Sequence, residues 1–139
     1  MDHPLRKSLT EIMVSGALDH HPKLKFVIVE FHAGWVPHCF WLSDFWNEHR
    51  APTPKLDLKP SEYFQRNMWV TFINDPLSVP FVDLIGADRL MWSSDYPHVE
   101  SSWPKSKTYV DELFAGQPNE VTLKVTRDNA AKIFGLQPS

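Results

Sequence analysis

The chain has 139 residues, the length of one modest domain, and its 42% apolar and 22% charged residues exclude disorder as its main state. Its net charge is −3, and its 14 Lys and Arg are scattered, which excludes the basic stripe that nucleic-acid binding needs. A single cysteine, Cys39, excludes an intramolecular disulfide framework and a multi-cysteine zinc site.

No targeting or membrane segment is evident in the sequence. The N-terminal stretch lacks the apolar core of a signal peptide, and the apolar run at residues 26–29 is far too short to cross a bilayer. One thiol also fits a reducing compartment. We therefore expect a soluble, cytoplasmic protein that binds neither membranes nor nucleic acid.

Hydrophobic spacing predicts helices that alternate with strands. Apolar positions three and four apart indicate a first helix over residues 9–17, which ends before Pro22. The first strand is apolar on both faces, as is typical of a buried parallel sheet. Strands are predicted at residues 24–30, 67–73 and 89–93. Further helices are predicted at residues 38–49, 60–66 and 81–85, around 110–114, and at 127–134.

The order of these elements is typical of an α/β fold. Helices between successive strands favour parallel strands joined by helical crossovers. About three strands leave a parallel sheet with two open edges and poorly covered faces. We therefore predict that the chain, one domain over residues 1–139, is part of a larger α/β unit.

The first polar cluster is Glu30-Phe31-His32, at the carboxyl end of a predicted strand, where α/β folds place ligands and catalytic groups. If the extended conformation continues, Glu30 and His32 share one face, because side chains alternate along a strand. A carboxylate and an imidazole on one face can ligate zinc or relay a proton. The alternative is a salt-bridged Glu30 and a His32 that is hydrogen-bonded in a loop.

The second polar cluster, at residues 93–98, follows the last predicted strand. Asp95 lies where the apolar residues Leu90-Met91-Trp92 meet a turn, and a carboxylate there needs a compensating cation or donor. A metal ion or a metal-bound water would supply that compensation. The alternative is an aspartate that accepts backbone N–H bonds in a turn.

Two other positions are expected to be structural. Asp128-Asn129 precedes Ala130-Ala131 and is typical of a helix cap. Cys39 lies in an aromatic helix and is expected in the core rather than as a nucleophile.

The two clusters, with their flanking segments, carry a family resemblance. Residues 86–98 resemble the last barrel strand of the amidohydrolase-related family, in the branch that contains aminocarboxymuconate-semialdehyde decarboxylase and related metal-dependent hydrolases. Residues 22–30 and 34–37 resemble an earlier strand of the same barrel, and residues 60–64 and 128–136 resemble its helices. The order and spacing of these segments cover nearly the whole chain.

The resemblance implies the fold and the metal site. The fold would be the C-terminal part of a (β/α)₈ TIM barrel, with about three parallel strands and flanking helices. Asp95 matches the family's last-strand aspartate, which resembles a metal ligand that also takes a proton from the attacking water. His32 and Glu30 would be further metal ligands, although the family's histidine would fall on Phe31 by register. The metal would be zinc, with manganese as the alternative, and the family's His-x-His motif would lie upstream of Met1.

Three functions remain open from the sequence. The first is a metal-dependent hydrolase or decarboxylase for a small carbonyl or carboxylate substrate, with Asp95 as the catalytic base and His98 and Trp103 lining the pocket. The second is a non-catalytic barrel fragment that pairs with a missing N-terminal half or forms a homo-oligomer. The third is a small-molecule binding module built from tryptophans at positions 35, 92 and 103.

Overall fold

The computed structural model describes residues 3–50 and 54–137. These residues form two compact units, each assembled from separate stretches of the chain. Unit 1 contains the described residues up to Val27 together with Trp35–Trp69, and unit 2 contains Ile28–Gly34 and the described residues from Val70 onward. Among the described residues, no helix combines the length and the apolar character that crossing a membrane requires.

Unit 1 contains the two longest helices of the described residues together with two shorter ones. They are α1 (His3–Val14), α2 (Ala17–His20), α3 (Val36–His49) and α4 (Pro60–Asn67). The predicted first helix ends earlier than expected, because Gly16 adopts a left-handed conformation with φ 76° and separates α1 from α2. Leu9 and Met13 of α1 are buried in the core of unit 1, as their spacing predicts.

Helix α4 shows why its sequence is helical. Pro60 occupies the first turn, where its missing N–H has no helical partner to lose. The carboxylate of Glu62 accepts the backbone N–H of Lys59 at 2.8 Å, which satisfies a donor that the helix leaves open. At the end of α4, the buried Asn67 side chain donates to the carbonyls of Pro22 and Leu24 at 3.0 and 2.6 Å.

The three strands form one sheet in the order β1 (Phe26–Ile28), β2 (Met68–Phe72), β3 (Leu90–Trp92). Strand β2 pairs in parallel with β3, with Val70 opposite Leu90 and Phe72 opposite Trp92. Every residue of β2 is buried, as expected for a central strand that is covered on both faces. The first strand is shorter than predicted, and the residues that flank it at both ends are solvent-exposed.

The described helices of unit 2 are mostly short. They are α5 (Val82–Ile85), α6 (Ser106–Leu113), α7 (Asn119–Leu123) and α8 (Asn129–Phe134), with a 3₁₀ turn at Ala87–Arg89 and a π-helical turn at Lys124–Asp128. The expected cap at Asp128-Asn129 is wrong, because Asp128 has helical backbone angles (φ −70°, ψ −37°) and helical structure begins at Asn119. Instead, the buried amide of Asn129 donates to the carbonyls of Ala87 and Leu90 at 2.7 and 2.8 Å.

Cys39 is buried in unit 1, and burial raises the pKa of its thiol above the ordinary value of 9.0. A thiol held protonated is a poor nucleophile. The expected core position of Cys39 is confirmed.

Candidate functional site

A cavity of about 160 Å³ lies in unit 2, where the carboxyl ends of the strands meet. Its floor and walls include the end of β2, around Phe72, and the segments that follow β1 and β3. Five titratable side chains line this cavity: Glu30, His32, Asp95, His98 and Glu100. The structure therefore brings both predicted polar clusters to one place, as parallel strands that end at the same edge of a sheet require.

The backbone at this cavity is strained at the predicted metal ligands. Glu30, His32 and Asp95 have φ values of 68°, 56° and 55°, and among the described residues they are the non-glycine positions with positive φ. Each such residue costs of order 1 kcal/mol or more, and strain of this kind clusters at functional sites. The extended conformation, the condition under which Glu30 and His32 would share one face of a strand, therefore does not continue, although both side chains still line the cavity.

The segment after β1 is held in place by a carboxylate that the sequence analysis did not single out. Asp75 is 8% exposed and follows β2. Its Oδ2 accepts the backbone N–H groups of Ala33 and Gly34 at 2.9 and 2.7 Å, and the hydroxyl of Ser78 at 2.6 Å. Its Oδ1 accepts the N–H of Leu77 at 3.0 Å. One side chain thus joins the loop after β1 to the loop after β2.

The electrostatics of Asp75 follow from these bonds. Burial by itself would raise the pKa of Asp75. The hydrogen bonds from Ser78, Ala33, Leu77 and Gly34 stabilise the ionised form and outweigh burial, so the pKa lies below its ordinary value of 3.8. The carboxylate is therefore ionised at neutral pH.

The turn after β3 is built from its own residues. The N–H of His98 donates to the carbonyl of Asp95 at 2.8 Å, and the Nδ1 of His98 lies 3.2 Å from Oδ2 of Asp95. The carbonyl of Ser94 accepts the N–H of Ser102 and the hydroxyl of Ser101. The Asp95 side chain is 18% exposed and that of His98 is 59% exposed, so this carboxylate and imidazole form a pair that solvent can reach.

The tryptophans have other environments. Trp103, predicted to line the substrate pocket, is not among the lining residues of the cavity and instead packs edge-on against the exposed Tyr96, with ring centroids 5.8 Å apart. The indole N–H of Trp92 donates to the carbonyl of Ile73 at 3.0 Å. Trp35 is the N-cap residue of α3 in unit 1.

The cavity is lined by side chains of the types that bind divalent metals. Carboxylate oxygens and imidazole nitrogens are donors that manganese and zinc accept. Within residues 3–50 and 54–137, however, no group of three His, Cys, Asp or Glu side chains converges closely enough to hold a metal ion. The types of donor fit a metal, but the described residues do not form a complete metal centre.

Two residues near the cavity were missed by the sequence analysis. Glu100 lines the cavity two positions after His98, and nothing in the local pattern distinguishes it from a surface glutamate. Asp75 carried a weak signal, since it closely follows the strand predicted at residues 67–73 and precedes Pro76.

The profile of the amidohydrolase family matches residues 9–136. The chain belongs to the amidohydrolase family. Gamma-resorcylate decarboxylase of Rhodococcus jostii (strain RHA1) is 28% identical over 130 residues, which cover 90% of this chain and 38% of that protein. The chain thus spans well under half the length of the curated relative that it matches.

Solved amidohydrolase structures match the fold. The 5-carboxyvanillate decarboxylase from Sphingomonas paucimobilis superposes with a TM-score of 0.78 at 28% identity, covering 92% of this chain and 38% of that one. The dihydroxybenzoic acid decarboxylase from Polaromonas sp. JS666, which holds manganese and the inhibitor 2-nitroresorcinol, superposes with a TM-score of 0.74 at 24% identity, covering 96% and 40%. The predicted fold, part of a (β/α)₈ barrel with about three parallel strands and flanking helices, is confirmed.

Proposed function

We propose that this amidohydrolase chain supplies one wall of the active site in a divalent-metal-dependent decarboxylase or hydrolase for a small carboxylate or carbonyl substrate. The observation that carries the proposal is that the residues with strained backbone are also titratable residues that line the cavity. Glu30, His32 and Asp95 all have positive φ, and all three line one cavity at the carboxyl ends of the strands. A fold retains such strain where the position of a side chain matters more than local stability.

The charge of the cavity supports a metal. Glu30, Asp95 and Glu100 bring three carboxylates to a space of about 160 Å³, which the imidazoles of His32 and His98 also line. An anionic substrate would be repelled there unless a cation compensates these charges. A divalent metal would supply that compensation and would polarise a carboxylate or carbonyl group. Because the described residues do not complete its coordination, we propose that further ligands come from elsewhere in a whole barrel, such as the family's His-x-His motif.

The side chains beside the cavity suit proton transfer. In decarboxylation, the bond from carbon to the carboxylate breaks, CO₂ leaves, and the carbon takes a proton. In hydrolysis, a water molecule loses a proton as its oxygen attacks the carbonyl carbon, and the leaving group takes up a proton when its bond to that carbon breaks. Asp95 with His98 at 3.2 Å can hold that proton in either reaction. Decarboxylation of a hydroxylated aromatic acid is favoured, because the named relatives at 28% identity are decarboxylases.

We propose zinc as the metal, with manganese as the alternative. Manganese is supported by its presence in the dihydroxybenzoic acid decarboxylase. The expected cytoplasmic location is supported by the single cysteine of the chain. His98 is proposed as a substrate contact because it lines the cavity, whereas the proposed role of Trp103 lacks that support.

A second candidate is a barrel fragment that acts only after association. Strands β1 and β3 are the edges of the sheet, and unpaired strand edges are available to add further strands. The occupant would be a complementing N-terminal half or a second copy of the chain. This candidate predicts a molecular mass above 16.1 kDa in solution or a requirement for the added half.

The first experiment measures metal content and turnover together. Untagged chain is analysed by ICP mass spectrometry after exposure to Zn²⁺ or Mn²⁺, assayed for CO₂ release from 2,6-dihydroxybenzoate, and sized by light scattering. Because this chain supplies only some of the proposed ligands, we expect weak metal binding, and Asp95→Asn should weaken it further by at least about tenfold. The control is Asp111→Asn, an exposed aspartate paired with Lys107.

Equal metal binding by wild type and Asp95→Asn would contradict the role of Asp95. No metal and no turnover by the monomer, with both restored on adding the N-terminal part of a homologous barrel, would favour the second candidate.

A further inference from the structure

We infer that Asp75 is a positioning residue for this site: its buried carboxylate holds the loop at residues 30–34 in the conformation that directs Glu30 and His32 toward the cavity. The geometric part of this inference concerns unit 2 alone. Its meaning for catalysis rests on the proposed function.

Asp75 acts on the part of the loop directly after His32. Its oxygens bind backbone N–H groups immediately after His32, those of Ala33 at 2.9 Å and Gly34 at 2.7 Å. Asp75 is not among the residues that line the cavity, so it acts through the loop rather than on a ligand. A carboxylate that accepts N–H bonds in a buried site makes some of the strongest hydrogen bonds in a protein.

The loop needs this support because its backbone is strained. Positive φ at Glu30 and at His32 makes this stretch unfavourable for a free peptide, which would relax to ordinary backbone angles. Hydrogen bonds formed directly after the strained residues offset that cost. Ala33, between the strained residues and Gly34, is fully buried, so a shift of the loop would disturb close-packed neighbours.

The loops after β1 and β2 approach each other closely at Gly34. A Cβ on Gly34 would lie 2.6 Å from Cβ of Leu77 and 3.1 and 3.2 Å from the carboxylate oxygens of Asp75. At position 34, a side chain would meet Leu77 and Asp75 at these distances, so only glycine lets this part of the backbone approach the carboxylate so closely. The close packing and the hydrogen bonds therefore specify the same position for the loop.

The test replaces Asp75 with asparagine, which keeps the size and removes the charge. We expect amide hydrogen exchange at Ala33 and Gly34 to become about 10–100-fold faster, because each loses a bond to an ionised acceptor. The imidazole ¹H–¹³C signals of His32 should shift and broaden, whereas those of His98 should stay, since the 95–98 turn is bonded within itself. A role in global stability alone would not separate the two histidines.

Two further variants keep the test decisive. Asp19→Asn is the matched control, since the Asp19 carboxylate accepts the Tyr63 hydroxyl in unit 1, and His32 should be unchanged in it. If Asp75→Asn does not fold, Gly34→Ala should produce the same His32 signature by forcing the loops apart. Unchanged exchange at Ala33 and Gly34, with unchanged His32 signals in a folded variant, would overturn the inference.

Manganese separates this inference from the proposed function. Mn²⁺ added to the wild-type chain should broaden the signals of both His32 and His98, and in Asp75→Asn the effect at His32 should weaken. Absence of broadening at both histidines in wild type would count against metal binding by this chain. The exchange data would still decide the role of Asp75, because they need no metal and no substrate.

Discussion

Two segments of unit 2 deliver similar side chains to the cavity and are supported in opposite ways. The loop after β1 carries Glu30 and His32 and depends on Asp75, which is 42 positions from Ala33 along the chain. The turn after β3 carries Asp95 and His98, and the hydrogen bonds of residues 94–101 are made with partners within residues 93–103. Both segments contain positive φ, so strain does not distinguish them.

The difference lies in how each segment responds to damage. A loop whose conformation depends on one distant carboxylate should lose its order when that carboxylate is removed. A turn with several short-range bonds should tolerate the loss of any single exposed partner. The proposed site therefore combines one wall that depends on tertiary structure with one wall that is locally specified.

Asp75→Ala should have the largest effect. It leaves the buried donors of Ala33, Gly34, Leu77 and Ser78 without their acceptor, and we expect a loss of about 3 kcal/mol in the free energy of unfolding. Urea denaturation followed by circular dichroism measures this. Asn74→Ala, at the exposed neighbouring position, should stay within about 0.5 kcal/mol of wild type. A loss no larger than that of Asn74→Ala would remove the contrast between the two segments.

Acid should have a smaller effect through the same carboxylate. The folded-state pKa of Asp75 lies below its ordinary value of 3.8, so ionisation favours the folded state. This stability is fully present above the unfolded-state pKa and is lost as the pH falls through the folded-state pKa. Urea midpoints between pH 6 and pH 3 should therefore fall less in Asp75→Asn than in wild type. Equal pH dependence in both proteins would show that Asp75 is not the group responsible.

His98→Ala should have the smallest effect on stability. The imidazole is 59% exposed, and solvent-exposed pairs contribute little, so the change should be within about 0.5 kcal/mol. Turnover of the metal-loaded protein should nevertheless fall about 10²-fold or more if His98 takes part in proton transfer. A large loss of stability would mean that the turn after β3 depends on a tertiary contact after all.

Much of this architecture was accessible from the sequence. The order of helices and strands follows from hydrophobic spacing, and the helices predicted at residues 38–49 and 60–66 appear as α3 and α4 with ends shifted by one or two residues. Both polar clusters could be predicted because each lies at the carboxyl end of a predicted strand, which is where α/β folds place ligands and catalytic groups. Their meeting at one cavity follows from parallel strand direction alone.

The remainder could not be predicted for identifiable reasons. Nothing in the letters Glu30-Phe31-His32 signals positive φ, which favours glycine in general and here depends on surrounding contacts. The role of Asp75 depends on backbone donors more than 40 positions away. Asn129 looks like a cap because asparagine usually acts locally, and its real partners, the carbonyls of Ala87 and Leu90, are distant in sequence.

Asn67 and Asn129 have a shared consequence for how the gene tolerates change. Each uses both hydrogens of its side-chain amide on two backbone carbonyls that lie before a strand or at its first residue. Replacement by aspartate preserves the shape and needs only one nucleotide substitution, yet it turns both donors into acceptors that face carbonyl oxygens. The exchange that substitution tables rank among the mildest is therefore expected to be among the most damaging at these two codons, while the exposed aspartates of the same protein can be exchanged for asparagine freely.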